Sequence, residues 1–146
     1  MLAIPERFAV QDLRRFLLGE WIVERVIQDA RAETRGHFTG VAVFSPHGDD
    51  LQYFEKGLLS YGDHRSEAER SYLFAFPRQA RAEVFFPDGR AFHDLSLSDG
   101  AWSASHDCPP DVYQGSFEAL EQGHWRSRWQ VSGPRKDQVL STDYRR

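Results

Sequence analysis

Arg25, Glu55, Arg70, His93, His106 and Lys136 are the residues of this chain whose type and placement offer chemistry. Each falls in phase with apolar neighbours on an alternating stretch, as in Trp21, Val23, Arg25, Ile27 and in Arg70, Tyr72, Phe74, Phe76. Residues two apart in a strand share a face. These charges therefore point the way the aromatic and aliphatic side chains point. An ion removed from water costs several kcal/mol unless it is paired. So many ions in phase with the core predict a lined cavity rather than a filled one. Arg25, Arg70 and Lys136 outnumber Glu55, and a guanidinium takes a carboxylate or phosphate through two parallel bonds. An interior anion follows, with Arg70 and Glu55 also able to form a purely structural pair.

The two histidines are the sharpest feature. A two-residue turn at Asp99-Gly100 sets His93 opposite His106, and directly opposed Cβ atoms lie about 4.5–5.5 Å apart. Such a pair could share a proton, an anion or a metal, with Cys108 as a third soft ligand. The plainer reading is two core histidines satisfied by Tyr72, Tyr113 or backbone. Structural zinc shows four ligands at recognised spacings, which this chain lacks, so no metal is expected. Glu55 beside either histidine could serve as a general base. No nucleophile elbow, phosphate loop, metalloprotease helix or dinucleotide fingerprint occurs.

The elements that must position these groups are strands. Residues 8–18 place Phe8, Leu13, Phe16 and Leu17 near helical spacing and predict one short amphipathic helix. Beyond Gly19, strand candidates lie at 20–29, 36–45, 51–60, 69–77, 81–86, 90–97, 101–107, 112–120, 124–132 and 135–144. Turn residues separate them at Pro46–Asp50, Asp88-Gly89, Asp99-Gly100, Gln122-Gly123 and Gly133-Pro134. Hairpin after hairpin without a crossover helix predicts an all-β, up-and-down antiparallel barrel of eight to ten strands. Alternation sets the registers. It pairs Phe44 with Leu51, Val84 with His93, Phe86 with Ala91, Leu97 with Trp102, Phe117 with Trp129, Trp129 with Leu140 and Trp125 with Tyr144. A two-residue loop at Gln122-Gly123 would mix the faces and is rejected.

The bulk numbers agree. The 146 residues, with 40 % hydrophobic and 27 % charged content, suit one soluble domain: helix within 1–18, barrel over 19–146. A net charge of −4 without a basic block argues against nucleic acid. Charges interrupt the N-terminus and no apolar run reaches membrane-spanning length, so neither signal peptide nor membrane partner is expected. One cysteine, Cys108, allows no internal disulfide and fits a reducing, cytoplasmic setting. A homodimer is left open.

Gly19-Glu20-Trp21 after a short helix resembles the opening of lipocalin-like (calycin) barrels. Nearly the whole chain is similar to one family of them, domain of unknown function 6314. The likeness is carried by Arg25 and Asp29, by Gly36, Phe38, Gly40, Ala42 and Phe44, and by Tyr53, Glu55, Arg70, Tyr72 and Phe76. It continues through Asp88–His93, His106-Asp107-Cys108, Asp111, Tyr113, Trp125, Trp129, Val131 and Gly133–Asp137. The resemblance implies a bacterial-type barrel with a polar interior and no settled activity. The glycine-rich opening of haem-holding barrels is missing, so no cofactor is expected. In lipocalins a terminal basic residue covers the opening tryptophan, a role implied here for Arg145 or Arg146.

The expectation is a barrel plugged at one end by its helix, binding a small, partly apolar, anionic molecule. Trp125, Trp129, Phe74 and Phe76 would form apolar walls. Arg25, Arg70, His93, His106 and Lys136 would orient the anion, with Glu55, Tyr72 and Tyr113 fixing them. The alternatives are an enzyme using Glu55 and the histidine pair for proton transfer, and an interaction module whose polar core is only structural.

Overall fold

The computed structural model describes residues 7–146; residues 1–6 of the expected helical region lie outside it. Among the described residues, one short helix, α1 (Leu13–Leu17), precedes ten strands. They are β1 (Gly19–Asp29), β2 (Thr34–His47), β3 (Asp50–Tyr61), β4 (His64–Arg78), β5 (Arg81–Phe85), β6 (Ala91–Ser96), β7 (Ala101–Cys108), β8 (Asp111–Glu121), β9 (His124–Ser132) and β10 (Asp137–Arg145). Hydrogen bonding runs β6-β5-β4-β3-β2-β1-β10-β9-β8-β7. The first and last strands pair, with Val23 opposite Tyr144 and Arg25 opposite Thr142. A nearly closed antiparallel barrel results, open along the seam between β6 and β7.

Strict alternation produces this shape. On β1 the residues Trp21, Val23 and Arg25 are buried while Glu20, Ile22 and Glu24 face outward. Gly40 on β2 sits opposite Gly57 on β3. A Cβ on either would collide with the other strand's backbone, so only glycine permits so close an approach there.

The last hairpin has the expected register, with Trp129 opposite Leu140 and Trp125 opposite Tyr144. Three others are corrected. On β2–β3, Phe44 faces Tyr53 rather than Leu51, and Ala42 faces Glu55. The two strands run on to His47 and Asp50, leaving a two-residue turn with Gly48 at φ +61°. A shift by two preserves the buried face. On β8–β9, Trp129 faces Gly115 and Phe117 faces Ser127. The Gln122-Gly123 turn is used after all, and an irregularity between Ala119 and Glu121 restores the faces. On β5–β6, Val84 does face His93, but a bulge puts Ala91 opposite Phe85 instead of Phe86. That bulge turns Phe92, which strict alternation from His93 would leave at the surface, toward the interior.

No ladder joins β6 to β7, so the expected cross-strand pairing of His93 with His106 does not form. Other partners occupy that backbone. Val10 and Gly100 both donate to the Leu97 carbonyl, and Ala119 donates to the Gly100 carbonyl. The Trp102 indole N–H takes the Asp94 carbonyl at 3.0 Å. The β5–β6 hairpin is also short: its strands have 5 and 6 residues, beside 15 in β4. The wall is low on that side.

The opposite end is shut. Asp12 caps α1 by accepting from the Arg15 N–H, and Leu13, Phe16 and Leu17 are buried against the strands. The Trp21 indole donates to the Leu17 carbonyl at 2.8 Å. Arg146 lies 3.9 Å above the Trp21 ring and donates to the Phe16 and Leu18 carbonyls. Of the two terminal arginines, Arg146 is the one that covers this tryptophan.

Candidate ligand cavity

Glu55 is the hub of the interior. It is 1 % exposed, where an unpartnered carboxylate would not stay ionised. Arg25 reaches it from β1, across the small residues of β2, with a two-pronged pair at 2.7 and 3.0 Å. The Arg25 Nε donates to the Thr142 hydroxyl at 2.8 Å, so all three guanidinium nitrogens of Arg25 are engaged. The Tyr53 hydroxyl and Arg70 Nε also donate to Glu55, at 2.5 and 3.0 Å. Burial alone would raise the Glu55 pKa. The Arg25 hydrogen bonds and the positive charges of Arg70 and Arg25 outweigh it and hold the carboxyl at about 2. Burial also pushes the Tyr53 hydroxyl well up, keeping it a donor.

Two guanidinium groups against one carboxylate leave one positive charge over. Arg70 carries it toward solvent: its side chain is 39 % exposed. Only its Nε is bonded among the described residues, leaving two terminal nitrogens free. Its guanidinium also stands 5.6 Å from the Tyr72 ring.

Above this cluster lies a cavity of about 400 Å³, within the range of small-molecule sites. Its walls are aromatic. Phe92 stacks on Phe86 at 4.5 Å and on Trp129 at 5.1 Å, and Trp125 stacks on Tyr144 at 3.8 Å. Gly115 makes room for Trp129, because a Cβ there would meet the indole at 2.8–2.9 Å. Of the cavity's lining residues, Arg70, Arg90 and Cys108 are exposed and mark its open rim.

Both histidines line this cavity without forming a mutual pair; Phe92 touches each ring, at 4.7 and 5.3 Å. His93 stacks on Phe117 at 5.2 Å. Its Nδ1 donates to the Asp94 carbonyl at 2.8 Å. Burial lowers its pKa to about 4, so the ring is neutral near pH 7.

A model of a family of unknown function, DUF6314, matches residues 17–146. The chain belongs to that family. No curated protein sequence matches this DUF6314 chain. Solved structures with the same lipocalin-like barrel include an S-type phycobiliprotein lyase, CPES, from Guillardia theta. It has a TM-score of 0.66 at 6 % identity over 97 % of this chain and 94 % of the other. A protein of unknown function of the DUF3598 family from Nostoc punctiforme gives 0.66 at 12 % identity over 99 % of this chain, which spans only 52 % of that protein. A third, EF1p2_mFAP2b bound to DFHBI, gives 0.51 at 11 % identity over 94 % and 99 % of the two chains. At these identities the likeness is one of fold.

The DUF6314 cavity gathers Arg25, Arg70, Tyr72, His93, His106, Tyr113 and Trp129, with Phe74 and Trp125 in the walls as expected. Glu55 lies behind the arginines rather than on the cavity surface. With four hydrogen bonds accepted and a pKa near 2, it is a poor general base. Lys136 is not brought in: it precedes β10, is half-exposed and pairs with Asp111 at 3.3 Å. Phe76 packs against the core outside the cavity. Cys108 is exposed at the rim, and among the described residues no three His, Cys, Asp or Glu side chains gather to hold a metal. Among the same residues no helix is long and apolar enough to cross a membrane. Sequence reasoning missed Thr142, Phe92 and Arg90. Alternation hides Phe92, because a bulge is invisible to it; Arg90 announces itself only by following the Asp88-Gly89 turn.

Proposed function

We propose that this protein binds a small, partly apolar molecule carrying a carboxylate or a comparable anionic group. The supporting observation is the unbalanced cluster, in which every Arg25 nitrogen is bonded to Glu55 or Thr142 while Arg70 keeps two terminal nitrogens free beside an aromatic cavity. Arg25 and Glu55 hold Arg70 in place, and Arg70 receives the anion. Arg90 also lines the cavity, but Asp88 balances its charge through a 2.6 Å pair, so the surplus charge is that of Arg70. The neighbouring barrels named as a phycobiliprotein lyase and as bound to DFHBI support small-molecule use of this fold. The lone exposed Cys108 supports a reducing, cytoplasmic setting.

Calorimetric titration with 2-naphthoate and decanoate, each against its methyl ester, tests the reading. At least one acid should bind about tenfold more tightly than its ester, the worth of one charge-assisted pair. Arg70→Met should erase the difference. Esters binding as tightly as both acids, or an unchanged preference in the variant, would refute the anionic assignment.

A further inference from the structure

His93 carries a second recognition element that the anion reading does not use. A carbonyl oxygen can only accept, so Nδ1, at 2.8 Å from the Asp94 carbonyl, bears the ring hydrogen. The neutral ring therefore presents a bare lone pair at Nε2, on the side away from its own strand. Nε2 has no partner among the described residues. Trp125 Nε1 is the one buried side-chain nitrogen or oxygen sealed from solvent without a partner among those residues. The His93 Nε2 lone pair thus opens onto the cavity that its ring lines.

The surroundings of that lone pair are flat aromatic surfaces. His93 lies at 23° to Phe117, and Phe92 at 23° to Trp129. Neither phenylalanine nor the Trp129 edge beside His93 offers an acceptor, so Nε2 is the hydrogen-bond acceptor available on this wall. Flat faces select flat partners, which stack with offset or meet edge to face. A buried acceptor discriminates strongly against a ligand without a donor, because it would be desolvated and left unpaired.

Resting on the anion reading above, we infer that the ligand is a planar aromatic acid bearing a hydroxyl or ring N–H, which donates to His93 Nε2 while its anionic group meets Arg70. His93, on β6, and Arg70, on β4, line the same cavity without contacting each other. The ligand is thereby fixed by a donor at one edge and a charge at another.

The test is calorimetry with 6-hydroxy-2-naphthoate, 6-methoxy-2-naphthoate and 2-naphthoate, together with the methyl esters of the first two. The hydroxy acid should bind about tenfold more tightly than the methoxy acid. In His93→Phe, which keeps a ring against Phe117 but removes the lone pair, that preference should vanish while 2-naphthoate still binds. His93→Gln, which restores an acceptor oxygen and guards against a misfolded Phe variant, should keep part of it. Equal binding of the hydroxy and methoxy acids, a preference that survives in His93→Phe, or no binding by any naphthoate would overturn the inference. Failure of the anion reading looks different: acid and ester bind alike, and the hydroxy preference persists within the ester pair.

Discussion

The two halves of the barrel are built from the same alternating strands, yet one is sealed and the other is hollow. Around Trp21 the space is filled: α1 supplies Leu13, Phe16 and Leu17, the indole N–H has its carbonyl, and Arg146 covers the ring. Beside the Glu55 cluster the aromatics stack in pairs around open volume, and Arg70 and His93 keep unpartnered polar atoms. Inward alternation by itself specifies only a lined interior. Whether that interior becomes core or cavity depends on what lies across it. The Arg25–Glu55–Arg70 layer forms one boundary of that cavity, with all three Arg25 nitrogens engaged and the two terminal Arg70 nitrogens free.

The largest effect should come from breaking that boundary. Glu55→Gln leaves Arg25, 4 % exposed, without its counter-charge, and removing one partner of a buried pair costs about 3–5 kcal/mol. Chemical denaturation should show the loss directly. Proton linkage gives a second signature. The folded Glu55 pKa of about 2 lies below its ordinary 4.5. Its stabilisation is therefore full above about pH 4.5 and fades as pH falls toward 2. His93, depressed by burial from 6.5 to about 4, acts earlier. The unfolded ring binds its proton first, so stability drops as pH falls from about 6.5 toward 4. Glu55→Gln should flatten the lower limb of the acid-unfolding curve and His93→Gln the upper one. A wild-type curve that is flat from pH 6.5 to 2 would contradict both assignments.

Gly115→Ala probes the hollow half. The new Cβ would meet the Trp129 ring at 2.8–2.9 Å, and overpacking of this kind costs about 1–3 kcal/mol. Here the ring can yield into the cavity instead of straining a core. Melting should fall by a few degrees while naphthoate affinity falls severalfold. Added volume in the packed half, such as Ala42→Val opposite Glu55, should cost stability with no such outlet. If Gly115→Ala leaves binding intact, Trp129 does not border the ligand.

The sealed half can be loosened without touching the cavity. Arg146→Ala removes the cation above Trp21 and two hydrogen bonds to carbonyls that then lose a partner. Together these are worth about 1–2 kcal/mol. The melting temperature should drop and naphthoate affinity should hold. Lost affinity would show that the two halves are not independent.

How far the residues announced this arrangement also divides along the barrel. Strand number, the helix plug, the inward arginines and the last hairpin's register were legible, because period-two alternation and turn residues are local signals. The face of Glu55 was legible but its neighbour was not, since a two-residue slip between β2 and β3 keeps every face the same. Bulges defeat alternation altogether, which is why parity alone would put Phe92 outside and why the Gln122-Gly123 turn was rejected. The supposed His93–His106 ladder failed for a tertiary reason: Val10 and the Trp102 indole take the Leu97 and Asp94 carbonyls that the β7 backbone would have used. Lys136 looked inward by parity, but its strand begins one residue later. Asp111 holds it at the surface.

Arg70→Met should disturb the fold least and separates the two arginines most cleanly. Glu55 would keep both Arg25 prongs and the Tyr53 hydroxyl. The lost bond comes from a side chain 39 % exposed, so solvent already screens much of it and the cost should stay below about 1 kcal/mol. Methionine retains the apolar stem beside Tyr72. Arg25→Met, by contrast, removes two bonds to the carboxylate and one to Thr142 and should destabilise severalfold more. The binding ranking should invert. Arg70→Met should erase the preference of 2-naphthoate over its ester, while any Arg25 variant that still folds, having had no free nitrogen to offer, should keep it. Equal losses of stability in the two variants would mean that the charge layer is a single structural unit with no side reserved for a ligand.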